Sequence, residues 1–100
     1  MAQVKVDQQA IAAFCLKHHV RKLSLFGSVL RPDFGAESDI DVLVEFEAGQ
    51  TPGFFTLEDM QRELTEIIGK QKVDLRTPKD LSPYFRDRVV AAAEMIYVRR

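Results

Sequence analysis

The chain has 100 residues, enough for one hydrophobic core and too few for two, so a single domain over residues 1–100 is expected. Apolar residues make up 46% and charged residues 29%, which excludes a disordered chain, and no apolar run approaches the length of a membrane span. The net charge of −1, from 14 basic and 15 acidic residues, gives no basic surface for nucleic acid or an anionic membrane, and direct nucleic-acid binding is not expected.

Asp7 reads as the N-cap of a first helix, with Ile11, Phe14 and Cys15 along one face and Leu16 at its margin. Cys15 stands in an apolar stretch as the lone cysteine, so it reads as a core thiol and the expected setting is the reducing cytoplasm. The opening MAQVKVDQQ lacks the basic-then-apolar order of a secretory leader. His18 and His19, in KHHVRK, read as a solvated, cationic helix end. Val20 to Phe26 then alternates as a strand and stops sharply at Gly27-Ser28. After a loop holding Pro32, Asp33 and Gly35, Asp39 to Glu47 is strand again. Ile40, Val42, Val44 and Phe46 form a wholly apolar face, while the other face begins with Asp39 and Asp41.

Thr51-Pro52 offers a helix start, and Leu57, Met60, Leu64, Ile67 and Ile68 make a helical stripe ended by Gly69. Phe54 and Phe55, adjacent at that start, cannot both face one core stripe; one is left to be exposed, to meet a partner or to stack on a base. Lys72 to Arg76 is a short strand containing Asp74. Ser82-Pro83 is expected to open a last helix whose apolar face holds Phe85, Val89, Ala92, Ala93 and Ile96, with Arg86, Asp87 and Arg88 outside. Tyr84 and Tyr97 would pack on that helix, and Arg99-Arg100 would fray. Helices alternating with strands point to an α+β fold, a small mixed sheet flanked by helices.

The chemistry lies in the carboxylates. Side chains two apart on a strand share a face, so Asp39 and Asp41 repel unless a cation lies between them. Magnesium suits such a pair, because it takes one or two protein carboxylates and completes its shell with phosphate oxygens. Asp74, between Val73 and Leu75, is the third candidate carboxylate. A strand that runs into Gly27-Ser28 and then a helical turn leaves backbone N–H groups aimed outward for phosphate, with the Ser28 hydroxyl as a further donor. Arg31 can reach that phosphate or pair with Asp33.

Taken together, GSVLRPDFGAESDIDVLVEF resembles the minimal nucleotidyltransferase (MNT) domains of the polymerase-beta-like nucleotidyltransferase superfamily. The matching pieces are Gly27-Ser28, Arg31, Ser38-Asp39-Ile40-Asp41 and, further on, Asp74 within KVDLRTP. The resemblance implies the polymerase-beta-like fold, with Asp39, Asp41 and Asp74 as catalytic and metal-binding residues. Gly27, Ser28, Arg31 and Ser38 would bind the nucleotide. It further implies one or two Mg2+ ions and ATP as the nucleoside triphosphate donor. The partner it implies is a HEPN-domain toxin, AMPylated on a tyrosine hydroxyl by this chain acting as its antitoxin. In such a toxin–antitoxin system a hetero-oligomer is expected, alongside a possible homodimer. Two other readings stay open: an antitoxin that neutralises by binding alone, and a transferase acting on a small molecule such as an aminoglycoside. The shortness of the chain argues for an acceptor supplied by another molecule.

Overall fold

The Asp7 carboxylate accepts hydrogen bonds from the N–H groups of Gln9 (3.0 Å) and Ala10 (3.2 Å), and this cap starts helix α1 (Gln8–Lys17). The computed structural model describes residues 5–35, 37–69 and 71–99. Strand β1 (Val20–Phe26) follows and runs into a 3-10 turn at Gly27–Leu30; β2 (Ile40–Phe46), α2 (Phe54–Ile68) and β3 (Val73–Arg76) come next. A second 3-10 turn at Pro78–Asp80 leads to α3 (Arg86–Ala92) and β4 (Glu94–Val98). The sheet order is β3-β2-β1-β4, with β2–β1 and β1–β4 antiparallel and β2–β3 parallel across the α2 crossover. The result is the mixed, helix-flanked α+β sheet that the alternating pattern predicts.

The core lies between one face of the sheet and the helices α1 and α2. Leu23, Leu25, Ile40, Val42, Val44 and Val73 meet Ile11, Phe14, Cys15, Met60 and Leu64, all essentially inaccessible to water. Leu16 points away and is exposed. Helix α2 ends as its sequence demands: Gly69 takes the left-handed conformation (φ 81°) and its N–H donates to the Thr65 carbonyl. Its start differs from expectation, because Gly53 is the N-cap and Thr51-Pro52 lies outside the helix.

Strand β3 is a sheet edge, yet its outward donors are used. The Leu75 N–H donates to Gln61 Oε1 (2.8 Å) and the Val73 N–H to Thr65 Oγ1 (3.1 Å), both from α2. These bonds satisfy groups that would otherwise invite another strand, and they fix β3 in register beneath α2.

The C-terminal part overturns the expected long helix. α3 covers only seven residues, Ala93 adopts an extended backbone, and residues 94–98 pair with β1. The helical spacing of Phe85, Val89, Ala92, Ala93 and Ile96 is present, but the free edge of β1 leaves backbone groups unpaired unless a strand covers them. Ile96, Tyr97 and Val98, β-branched and aromatic, meet that need. Tyr97 therefore packs from a strand, whereas Tyr84 is 92% exposed rather than packed on a helix. Phe85 is also exposed. Arg86 is not a solvated residue: its guanidinium donates to the carbonyls of Pro78 (2.7 Å) and Leu81 (2.9 Å), clamping the second 3-10 turn. Arg99 is tied rather than frayed, donating from its backbone to Arg21 and from its side chain to Glu47, while Arg100 lies outside the described residues. His18 is half-buried and bonds Glu63 of α2 (3.0 Å), which ties the helix end to the body of the protein; His19 is exposed. No helix among the described residues is long and apolar enough to cross a membrane.

Candidate active site

The candidate residues gather on the sheet face away from α1 and α2, at the ends of three adjacent strands. Phe26, the last residue of β1, lies opposite Asp41 of β2, and Asp41 lies beside Asp74 of β3. Phe26, Asp41 and Asp74 thus stand in a row across the sheet, one strand spacing of about 4.8 Å between neighbours, and Gly27 follows Phe26 at the end of that row. This row could not be read from sequence, because strand order and register place Asp74 beside Asp41.

Gly27 opens the 3-10 turn with φ +74°. A side chain there would meet the neighbouring carboxylate, since a Cβ would stand 2.5 Å from Asp41 Oδ2. Only glycine brings the turn this close to the carboxylate. Ser28 is half-buried, and its hydroxyl reaches toward the Asp39 carbonyl at 3.5 Å, the outer limit of a hydrogen bond. That hydroxyl is available to a stronger acceptor. Asp39 is exposed and Asp41 half-buried.

The loop before Asp39 is held by a residue the sequence reading passed over. Gln71 Nε2 donates to the carbonyls of Gly35 (2.8 Å) and Ser38 (2.9 Å), and the Ser38 N–H donates to Gly35. Ser38 is therefore positioned by its backbone. Arg31 approaches Asp33 at 3.8 Å with both side chains exposed, a loose pair that leaves the guanidinium free to turn toward an anion.

The carboxylates of the row crowd one another. Burial pushes the Asp41 carboxyl above its ordinary range, the Asp74 and Asp39 carboxylates add to the rise, and Arg76 and Arg31 oppose it. Asp74 is held by Arg76, whose Nη2 and Nε donate to Oδ2 at 3.1 and 3.3 Å. Arg76 is the second residue missed, and period 2 was the available signal: two residues after Asp74, it shares that face of β3. Among the described residues no three carboxylate, imidazole or thiol groups converge to enclose a metal unaided. The hard, oxygen-only donor set of Asp39, Asp41 and Asp74 still fits magnesium, which takes few protein ligands and fills its shell from phosphate and water.

Two clefts flank the row. One, about 600 Å³, lies beyond β3 and is lined by Phe54, Leu57 and Gln61 of α2 and by Asp74, Leu75 and Arg76. The other, about 410 Å³, lies on the far side of Gly27 against Phe26, Leu30, Phe85, Arg88 and Val89. Arg88, expected on a solvated face, lines this second cleft.

Comparison with known proteins follows the same lines. Residues 8–100 match the family described as polymerase beta, nucleotidyltransferase. A Methanocaldococcus jannaschii relative, provisionally named a protein adenylyltransferase, is 37% identical over 86 residues, covering 86% of this chain and 89% of its own. A solved chain provisionally described as a minimal nucleotidyltransferase is 30% identical, with a TM-score of 0.69 over 86% of this chain and 85% of that one. The fold is shared with a toxin–antitoxin solved with AMP-PNP, 18% identical, with a TM-score of 0.73 over 95% of this chain and 76% of that one. It is shared too with a complex of tri-AMPylated Shewanella oneidensis HEPN toxin and MNT antitoxin, 18% identical, with a TM-score of 0.60 over 92% of this chain and 70% of that one. The chain belongs to the polymerase-beta nucleotidyltransferase family.

Proposed function

We propose that the chain is a magnesium-dependent adenylyltransferase that moves AMP from ATP to a tyrosine hydroxyl of a HEPN-type partner and so acts as its antitoxin in the cytoplasm. The observation that carries this reading is the placing of Asp41 and Asp74 side by side on neighbouring strands, with the Gly27 turn at the end of the third strand against the Asp41 carboxylate. A phosphate-holding turn, a metal-holding carboxylate pair and a proton-accepting carboxylate are what nucleotidyl transfer requires, in that order. The names of the relatives support AMP as the group transferred, and the HEPN toxin in one structural neighbour supports the partner class.

The backbone N–H groups of the Gly27–Leu30 turn, the Ser28 hydroxyl and Arg31 hold the triphosphate, with Ser38 at its edge. Asp39 and Asp41, with Asp74, hold magnesium, which when bound supplies positive charge against the phosphate oxygens. Asp74 accepts the proton of the attacking hydroxyl once Arg76 yields its place. The new bond joins the tyrosyl oxygen to the α-phosphorus, the bond from that phosphorus to the bridging oxygen breaks, and pyrophosphate leaves. Positioning and electrostatics carry most of such a step.

The test is mass spectrometry of a HEPN partner incubated with this chain, ATP and magnesium. The partner is expected to gain multiples of the AMP mass, and Asp39→Ala with Asp41→Ala to abolish the gain. No gain from a wild-type chain that still binds manganese refutes the reading. A double variant that protects cells as well as wild type favours neutralisation by binding alone.

A further inference from the structure

An in-line displacement needs the attacking oxygen and the leaving group on opposite sides of the reacting phosphorus. In this fold the two sides are distinguishable. The leaving pyrophosphate belongs on the β1 side, where the Gly27–Leu30 turn presents its N–H groups; the attack must then come across Asp74, from the β3 edge of the sheet. What lies beyond that edge is the cleft between α2 and β3. Its walls are uneven in character: Phe54 and Leu57 give an apolar side with Glu58 beside them, while Asp74, Arg76 and Asp80 make a polar end next to the row. Phe54 is 68% exposed and meets Phe55, itself 83% exposed, edge-to-face at 5.7 Å. An aromatic ring held in water at the lip of a cleft, with a second exposed ring beside it, is costly unless something covers it.

We infer that this cleft is the acceptor site, with Phe54 as the residue that selects an aromatic hydroxyl, the exposed tyrosyl side chain of a partner chain, over an aliphatic one. The inference rests on the transferase reading above and adds to it the side of entry and the residue that selects. A tyrosyl ring fits both ends of the cleft. Its face or edge packs on Phe54 and Leu57, and its hydroxyl reaches the polar end at Asp74. A seryl or lysyl side chain leaves the aromatic wall uncovered. Gln61 accepts from the Leu75 N–H with its Oε1, which fixes its side chain in the lining of the cleft.

The test uses the isotope-labelled full chain saturated with magnesium and AMP-PNP, with N-acetyl-tyrosinamide as the probe and N-acetyl-serinamide as its counterpart. Amide and ring shifts are expected at Phe54, Leu57, Leu75 and Arg76 with the tyrosyl probe and not with the seryl one. Phe54 packs on no core, so Phe54→Ala is expected to fold as wild type and to weaken the tyrosyl probe about tenfold, with nucleotide affinity unchanged. Phe54→Trp is expected to restore binding. Shifts centred instead on Leu30, Phe85 and Val89 overturn the inference, as does equal binding of the seryl probe or no shift at all. A Phe54→Ala chain that loses nucleotide rather than tyrosyl affinity also overturns it, by assigning Phe54 to the base. Tyrosyl binding here without AMP transfer to any partner counts against the transferase reading and leaves the cleft assignment standing.

Discussion

Gly27→Ala is expected to cost more than its backbone conformation alone, because the added methyl meets a carboxylate of the site. At φ +74° an L-residue loses roughly 1–2 kcal/mol, offset by about 0.4–1 kcal/mol from the stiffer unfolded chain. The new Cβ would stand 2.5 Å from Asp41 Oδ2 and 3.4 Å from its Cγ, so the carboxylate must swing aside. Driving it off its rotamer adds about 0.5–1.5 kcal/mol. Gly49 is a matched control: its φ is +76°, yet nothing lies within 4 Å of a Cβ placed there. Urea unfolding of both alanine variants should give Gly49→Ala a loss near 1 kcal/mol and Gly27→Ala about twice that. The activities should separate further. Displacing Asp41 by about 1 Å is expected to lower AMP transfer on the order of 100-fold, whereas Gly49→Ala leaves it unchanged. Equal stability losses and equal activities in the two variants would refute the packing of Gly27 against Asp41 as the reason for the glycine.

Three further outcomes follow from charge and burial. The Asp41 carboxyl is raised by burial and by Asp74, so its folded-state stabilisation belongs to the protonated form and is lost as pH rises through the folded value. Metal-free Asp41→Asn should therefore be more stable than wild type at neutral pH, with the gap closing in acid; a less stable variant refutes the crowding. At Glu63, burial pushes the carboxyl up, but hydrogen bonds from Lys17 (2.6 Å) and His18 (3.0 Å) outweigh it and the net shift is downward. That stabilisation is present above the unfolded carboxylate range and disappears as pH falls through the folded value, so Glu63→Gln should cost about 0.5–1 kcal/mol at neutral pH and nothing in strong acid. The Cys15 thiol, pushed up to about 12 by burial, should resist a thiol reagent in the native protein and react at once in urea; rapid native labelling would contradict its place in the core.

Local signals account for what was readable in advance. The Asp7 cap, the seven residues of β1, the alternation of β2 and the stop at Gly69 each follow from a few neighbouring residues and appear in the fold as expected. At Phe54-Phe55 the pattern requires one ring to be left out of the core, and the fold leaves both exposed. Gln71 carried no such signal, because it acts on a loop more than thirty residues earlier, whereas Arg76 is legible from its two-residue spacing from Asp74 on one strand.

The C-terminal segment marks the limit most clearly. Residues 85–96 satisfy a helical period, and nothing in their sequence tells that β1 lacks a partner on one side. Backbone hydrogen bonding across the sheet outweighs that local preference, and β4 forms instead. The site divides in the same way. Residue types and spacing determined that Gly27-Ser28 and Asp39-Ile40-Asp41 could hold phosphate and a hard cation, since both pieces lie within one turn or one strand. Only the tertiary structure decided that Asp74 stands beside Asp41, that Arg76 holds it, and that an aromatic cleft opens beyond. Those relations depend on a parallel β2–β3 register set by the α2 crossover, a contact between segments that sequence periodicity does not encode.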